Sequence, residues 1–219
     1  MHGGVAKVAA SSNAFAVITK NGSVITWGYR VSGGDSSTVE VVLSKNTISL
    51  YSNYYAFTAV LRNGTAVSWG NPFYGNCSTV AAALKGNVAR IYSNEKAFAA
   101  VTSGDGMVVT WGRADHGGDS SYVAFRASAL TISSTKNAFA ATLSDGSVVA
   151  WGAPTSGGNM QSIASYLQKG VYSVVATCCA FGALVENGRI VTWGSPKYGG
   201  NSQTVMSVFI MIAMSMTAR

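Results

Sequence analysis

A Trp-Gly pair recurs five times along these 219 residues, at Trp27-Gly28, Trp69-Gly70, Trp111-Gly112, Trp151-Gly152 and Trp193-Gly194, with spacings of 42, 42, 40 and 42. A period near 40 is the length of one small antiparallel sheet with its turns. Such a unit cannot bury its own faces, so copies must stack side by side or around an axis. The period therefore sets the fold class before any single residue is considered.

The rest of the repeat is in register with the Trp. Val8, Leu50, Ile91, Ile132 and Val174 stand seven residues before Phe15, Phe57, Phe98, Phe139 and Phe181, and each Phe follows an Ala. A turn dipeptide comes next: Asn21-Gly22, Asn63-Gly64, Asp105-Gly106, Asp145-Gly146 or Asn187-Gly188. Asn-Gly and Asp-Gly tolerate the positive φ that a type I′ turn requires at both central positions, which predicts five hairpins. After the Trp-Gly, Gly33-Gly34-Asp35, Gly117-Gly118-Asp119, Gly157-Gly158-Asn159 and Gly199-Gly200-Asn201 precede apolar residues such as Leu43, Leu167 and Phe209; the second copy is shortened to Gly75-Asn76, with Leu84. Asp, Asn and Ser accept from free amides at a helix start, so this segment reads as a capped helical turn or two. Each unit is then strand, strand, turn, short helix, strand.

Only 11% of the residues are charged and 48% are hydrophobic. Stretches such as Val24-Ile25-Thr26-Trp27 are apolar on both faces, so the sheets are expected to be covered on both sides, as radially packed blades are. The ends suggest closure. Val5 begins mid-repeat and Arg219 ends before another Phe, so residues 194–219 and 5–27 sum to one unit. The expected architecture is all-β: a β-propeller of about five blades built from repeats of about 42 residues, its ring closed by the N- and C-terminal segments sharing one blade. The partition is one repeat domain over 1–219, with a partial repeat over 5–27, repeats over 28–69, 70–111, 112–151 and 152–193, and a partial repeat over 194–219. Met214 and Met216 fall where Ile48 and Leu50 fall, a weak fit for the closing strand. An open arc completed by another subunit and a truncated copy rank after closure, so the chain is read as a monomer or a strand-exchanged dimer.

The pattern of an apolar strand, Ala-Phe, an Asp-Gly or Asn-Gly turn, Val-Val-Thr-Trp-Gly and a following Gly-Gly resembles the repeats of the regulator of chromosome condensation family. The similarly built beta-lactamase inhibitor protein II shares it. The resemblance covers nearly the whole chain. It implies a β-propeller that binds a partner protein through loops on one face. Familiar members close with seven blades, whereas this sequence holds about five.

The residues offer little for catalysis. Of eight carboxylates, Asp105 and Asp145 serve hairpins and Asp35 and Asp119 precede helical turns; Glu40, Glu95, Asp115 and Glu186 show no paired spacing. The histidines are His2 and His116; His116 beside Asp115 could relay a proton or hold half a metal site, but a lone loop His is more often solvated. No Gly-x-Ser-x-Gly elbow with a His partner can be assembled. The Gly-Gly-Asp-Ser-Ser stretches lack the clustered carboxylates of a Ca²⁺ loop. The chain is read as no enzyme, with no cofactor and no metal site.

Cys77, Cys178 and Cys179 are odd in number and two are adjacent, which argues for free thiols over a disulfide framework; a vicinal disulfide at Cys178-Cys179 is the alternative. No classical signal peptide is visible at Met1-His2-Gly3-Gly4, so the chain reads as cytoplasmic, nuclear or exported without a signal. The apolar stretch from Val205 to Met214 is too short to cross a bilayer. Sequons at Asn21, Asn63 and Asn76 say little, since two are explained by turns.

Two surfaces remain as candidates. A net charge of +7 attracts polyanions and acidic proteins. Lys45, Lys85, Arg126 and Lys169 each follow a predicted helical segment, where a cation complements the helix C-terminus; if the repeats close, symmetry also puts them on one ring, a seat for acidic or sulfated glycan, nucleic acid or an acidic tail. The loop after each Trp-Gly differs between copies and supplies Tyr29, Arg30, Phe73, Tyr74, Arg113, His116, Lys197 and Tyr198, with Tyr54 and Tyr55 as a further pair. Aromatic and Arg residues are the usual anchors of protein interfaces, although these could instead pack between blades. The leading expectation is a non-enzymatic scaffold for a partner protein, such as a cell-surface receptor or regulatory protein. A lectin-like module for heparan-type glycans follows, and a chromatin or small-GTPase regulator, with nucleic acid as a less favoured partner, is third.

Overall fold

A computed structural model of the chain describes residues 4–202. The chain divides into two compact units, Met1–Tyr122 and Val123–Arg219. In the first, β1 (Val5–Ala10), β2 (Ala14–Thr19) and β3 (Val24–Gly28) form one antiparallel sheet in sequential order. The sheets β4 (Thr47–Ser52), β5 (Ala56–Leu61), β6 (Ala66–Gly70) and β7 (Val88–Ser93), β8 (Ala97–Thr102), β9 (Val108–Gly112) repeat it. The second unit holds β10 (Ala129–Ser134), β11 (Ala138–Leu143), β12 (Val148–Gly152) and β13 (Val171–Ala176), β14 (Ala180–Val185), β15 (Ile190–Gly194). Among the described residues, then, there are five three-stranded antiparallel sheets, each made by one repeat.

The register explains why Phe and Trp share the period. In all five sheets the two stand directly opposite on the second and third strands, as Phe57 faces Trp69, and their rings stack with centroids 5.2 to 5.5 Å apart. Cross-strand aromatic pairs of this kind hold a sheet's register. The middle strands β5, β8 and β11 are buried along their whole length, with alanines where a neighbouring layer approaches. The helical segment supplies the wedge between successive sheets. In the first unit Leu43 packs with Ala14, Phe57 and Trp69, and Leu84 with Ala56, Phe98 and Trp111. In the second, Leu167 packs with Ala138, Phe181 and Trp193. Each buried leucine contributes roughly 1.5 to 3 kcal/mol.

Four features differ from expectation. The Asn-Gly and Asp-Gly turns are not type I′, because Lys45 is the one non-glycine with positive φ among the described residues. In the first hairpin only Gly22 is left-handed (φ 84°), its amide donates to Thr19 O and Thr19 donates to Ser23 O. This is a three-residue loop with a glycine bulge, and Asn21 accepts the Ser23 amide at 3.1 Å instead of adopting positive φ. Asn63 and Asp145 accept in the same way.

The Gly-Gly-Asp residues likewise make side-chain turns rather than helix caps. Asp35, Asn76, Asp119 and Asn159 each accept the amide two residues on, at 2.9 Å. The helices that follow, α1 (Glu40–Leu43), a 3₁₀ turn over Ser78–Val80 and another over Gln161–Leu167, lack a side-chain cap, and the third copy has no helix over 119–128. A bulge also recurs in every first strand and was unforeseen; it skips Ala6, Ile48, Ala89, Leu130 and Tyr172.

The last difference is at the first sheet. Trp69, Trp111, Trp151 and Trp193 are buried, whereas Phe15 and Trp27 are 46% and 48% exposed among the described residues. Phe57 and Trp69 are covered by the preceding repeat, through Gly33 and Leu43, and among the described residues no such cover lies on Phe15 and Trp27. The closing segment expected to contain Val205, Phe209, Met214 and Met216 lies outside the described residues, as does His2.

Candidate functional site

Each sheet pairs Ala with Gly at one end, as Ala56 with Gly70, so the turn between its first two strands and the loop leaving its third strand emerge together. One side chain joins them. Asn53 Oδ1 accepts the amides of Tyr55 and Ala56, both at 2.8 Å, while its Nδ2 donates to Tyr74 O at 2.8 Å. Asn94 does the same for Lys96, Ala97 and His116 O. Ser11, Thr135 and Thr177 accept from the Ala amide and donate to Ser32, Ser156 and Tyr198 carbonyls. Sequence reasoning missed this position. Its signal is a polar residue three before each Ala, blurred because Ser, Asn and Thr alternate in the role.

Four of the five exit loops share one shape, a 3₁₀ turn ended by a left-handed glycine, whereas the second ends at Asn76 in extended backbone. After β3, β6, β9, β12 and β15 come single helical turns, Arg30–Ser32, α2 (Pro72–Gly75), Ala114–His116, Pro154–Ser156 and Pro196–Tyr198. In those four the unlike sequences vary the side chains on a fixed backbone, not the backbone itself. Such a mount holds contact groups with little further ordering to be done on binding.

In the first unit, these loops gather most of the predicted partner-binding residues at one end. Phe73 is the most exposed aromatic among the described residues, at 79%, and Tyr29 is exposed beside Arg30, which pairs with Asp35 at 3.0 Å. Tyr74 is not free: its ring stacks on Tyr55 at 4.5 Å, and Tyr54 meets Tyr55 edge-on at 6.1 Å. The Arg113 guanidinium is held by Asp115 through two bonds of 2.6 and 2.9 Å, and Asp115 first and the nearby Tyr74 after it favour its charged form. His116 Nδ1 meets Asp115 at 2.7 Å. A depression of about 310 Å³ opens nearby, lined by Ser12, Asn53, Tyr54, Asn94 and Glu95. Asp115, which was not among the candidate contact residues, thus belongs to the cluster with Tyr74, Arg113 and His116 and with the further pair Tyr54 and Tyr55.

Electrostatically the cluster is an ion-paired surface. The Arg113 bond, then that from His116, lowers the Asp115 pKa to about 2. A depressed carboxylate contributes stability that is present above its unfolded value near 4 and is lost as pH falls through the folded value. The Arg113–Asp115 pair should thus survive acidification to pH 4 and break as pH falls through about 2, the midpoint that NMR titration of the Asp115 carboxyl would register. Both partners are largely exposed, so the effect on global stability is expected to be small.

The second unit's exit loops carry Lys197 and Tyr198, with the Lys197 ammonium 5.6 Å from the Tyr198 ring centre. The predicted cations lie at the other end of the strands, by the hairpin turns. Lys45 donates its amide to Ser23 Oγ, Gly86 beside Lys85 donates to Thr65 Oγ1, and Lys169 adjoins Gly146. Arg126 has no helix before it, so helix-end complementarity does not account for it. Cys77, Cys178 and Cys179 are free thiols, and burial raises the Cys178 pKa. Among the described residues no three His, Cys, Asp or Glu side chains could hold a metal, and no helix is long and apolar enough to cross a membrane.

No protein-family model matches the chain, and no curated protein matches it. Solved structures do. The ectodomain of the receptor kinase CR4 from Physcomitrella patens is 17% identical, with 87% of this chain and 50% of that one covered and a TM-score of 0.55. Prp20p from Saccharomyces cerevisiae, the yeast RCC1, is 16% identical over 87% of this chain and 58% of its own, with a TM-score of 0.52. The fold is an RCC1-like β-propeller. The ectodomain of the Arabidopsis thaliana receptor kinase ACR4 also has it (16% identity, 87% and 63% covered, TM-score 0.51). The chain spans between half and two thirds of the length of these propellers.

Proposed function

We propose that this propeller is a noncatalytic scaffold that takes a partner protein on the exit-loop end of residues 1–122. The observation that carries the reading is the exposed aromatic group of Phe73, Tyr29 and Tyr54 on backbone turns fixed by Ser11 and Asn53. Rigid aromatics bury large area with few rotors to freeze, and flanking Arg residues add direction. Arg30 and Arg113 flank the group, each already paired with a carboxylate, so a partner gains contact without desolvating a lone charge. Comparison with similar propellers supports the class of partner: Prp20p was studied for binding to Gsp1p and histones, and yeast RCC1 was solved bound to Kap60. Phe73→Ala should weaken affinity for the captured partner about 30-fold, the effect of losing an anchor worth about 2 kcal/mol, while leaving the melting temperature unchanged. Unaltered affinity measured by calorimetry excludes Phe73 as that anchor.

A second reading, an acidic glycan at the hairpin end, has its own support. Lys20, Lys45, Arg62 and Lys85 are all exposed there, and the turns carrying them interlock: Arg62 donates its amide to Asn46 O and Gly64 packs on Gly86. Retention on heparin well above physiological salt, reduced in Lys45→Glu with Lys85→Glu, is the expected result of that reading; elution near physiological salt rejects it.

A further inference from the structure

The indole N–H of Trp69 donates to Gly33 O at 3.0 Å, and that of Trp193 to Gly157 O at 2.9 Å. Both acceptors are main-chain carbonyls of the left-handed glycine that ends the preceding exit loop. Trp111 has no such acceptor. It is 2% exposed and its Nε1 has no hydrogen-bond partner. The cause is legible in the preceding repeat, which carries Gly75-Asn76 where others carry Gly-Gly before Asp or Asn. The loop therefore closes as α2 and leaves through Asn76 in extended backbone (φ −67°, ψ 114°), with no left-handed glycine to present its carbonyl. A buried donor left unpaired is rare and costly.

Beside this donor lies a cleft of about 500 Å³, bounded on one side by Asn76, Thr79 and Val80 and on the other by β9 and Gly118–Ser121. Trp69 and Trp193 aim their N–H at the preceding repeat's loop; the corresponding loop before Trp111 ends at Asn76, a wall of the cleft, and the Trp111 nitrogen is closed to solvent behind the lining, so a ligand reaches it by displacing that wall. We propose that the cleft binds an uncharged, extended peptide segment, one of whose main-chain carbonyls accepts the Trp111 indole hydrogen. The peptide would supply the group that the shortened loop withholds. All of Val108 to Gly112 line the cleft, and β9 is the edge strand of its sheet, the setting in which an extended chain adds by main-chain contacts. Asp119 is the one charged group in the lining, and its carboxyl, held below the usual range by the Ser121 amide, stays ionised and disfavours an acidic ligand. The cleft adjoins the exit loops through Asn76 and Ala114, but the Trp111 indole takes no part in the aromatic cluster, so either reading can fail alone.

The test is ¹H–¹⁵N NMR of the indole resonances, assigned by Trp→Phe variants, with a pool of N-acetylated, C-amidated, uncharged tetrapeptides at millimolar concentration. The Trp111 resonance should move downfield and saturate, toward the position of the bonded Trp69 indole, while Trp69 stays in place. Thr79→Arg, an exposed change on the cleft wall, should abolish the response without unfolding the protein, as should insertion of a glycine after Gly75. An unmoved Trp111 resonance, an equal movement in Thr79→Arg, or saturation by N-acetylglucosamine but not by the peptides overturns the proposal.

Discussion

Replacing Phe57 with alanine is expected to destabilise the protein by about 3 to 5 kcal/mol, since a fully buried aromatic leaves both lost transfer energy and a cavity. Phe57 is 0% exposed, stacks on Trp69 at 5.5 Å and packs with Leu43 and Ala14, so the space cannot collapse without moving two sheets of the first unit. For a chain of this size that loss lowers the Tm by roughly 10 °C, measurable by calorimetry. Phe73→Ala, on the exposed loop of the same unit, is the control and should leave the Tm in place. Equal effects of the two substitutions would contradict the assignment of one to the core and the other to a contact surface.

Gly33→Ala should be nearly as damaging, for a different reason. Gly33 has φ +94°, and a Cβ there would stand 2.5 Å from Phe57 Cδ2. The left-handed backbone costs an L-residue about 1 to 2 kcal/mol and the overpacking about 1 to 3 more. Gly104→Ala separates these contributions, because Gly104 has φ +88° but nothing within 4 Å of its would-be Cβ, so it should show the backbone cost alone. Chemical denaturation of the two variants measures the difference. If Gly104→Ala costs as much as Gly33→Ala, the close approach of loop and Phe57 is not what restricts the position.

The comparison of these residues shows what a single sequence discloses. The Phe and Trp partnership, the three strands per repeat and the wedging leucines Leu43, Leu84 and Leu167 were readable because packing demands the same kind of side chain in every copy. The turn geometry was not, since Asn-Gly satisfies two hairpin types: one uses positive φ at both residues, the other uses the Asn side chain as an acceptor. The residues that mount the exit loops escaped because a hydrogen bond can be made by Ser11, Asn53 or Thr135 alike, so function at the position is constant while identity is not. The loop sequences vary freely because Asn53 and Asn94 bind backbone atoms, which every residue type provides. Of the candidate site, Phe73, Tyr29 and Arg113 were legible by type and place. The Tyr55–Tyr74 stack was not, because it joins two repeat positions that are aromatic together in one copy only.

A photo-crosslinking amino acid placed at position 73, compared with one at position 63 in the hairpin turn at the opposite end of the same sheet, tests the central claim most directly. The account predicts a discrete adduct with one partner protein from position 73, suppressed by excess unlabelled protein but not by its Phe73→Ala variant, and none from position 63. An adduct formed from position 63 alone, or from both positions alike, would contradict it.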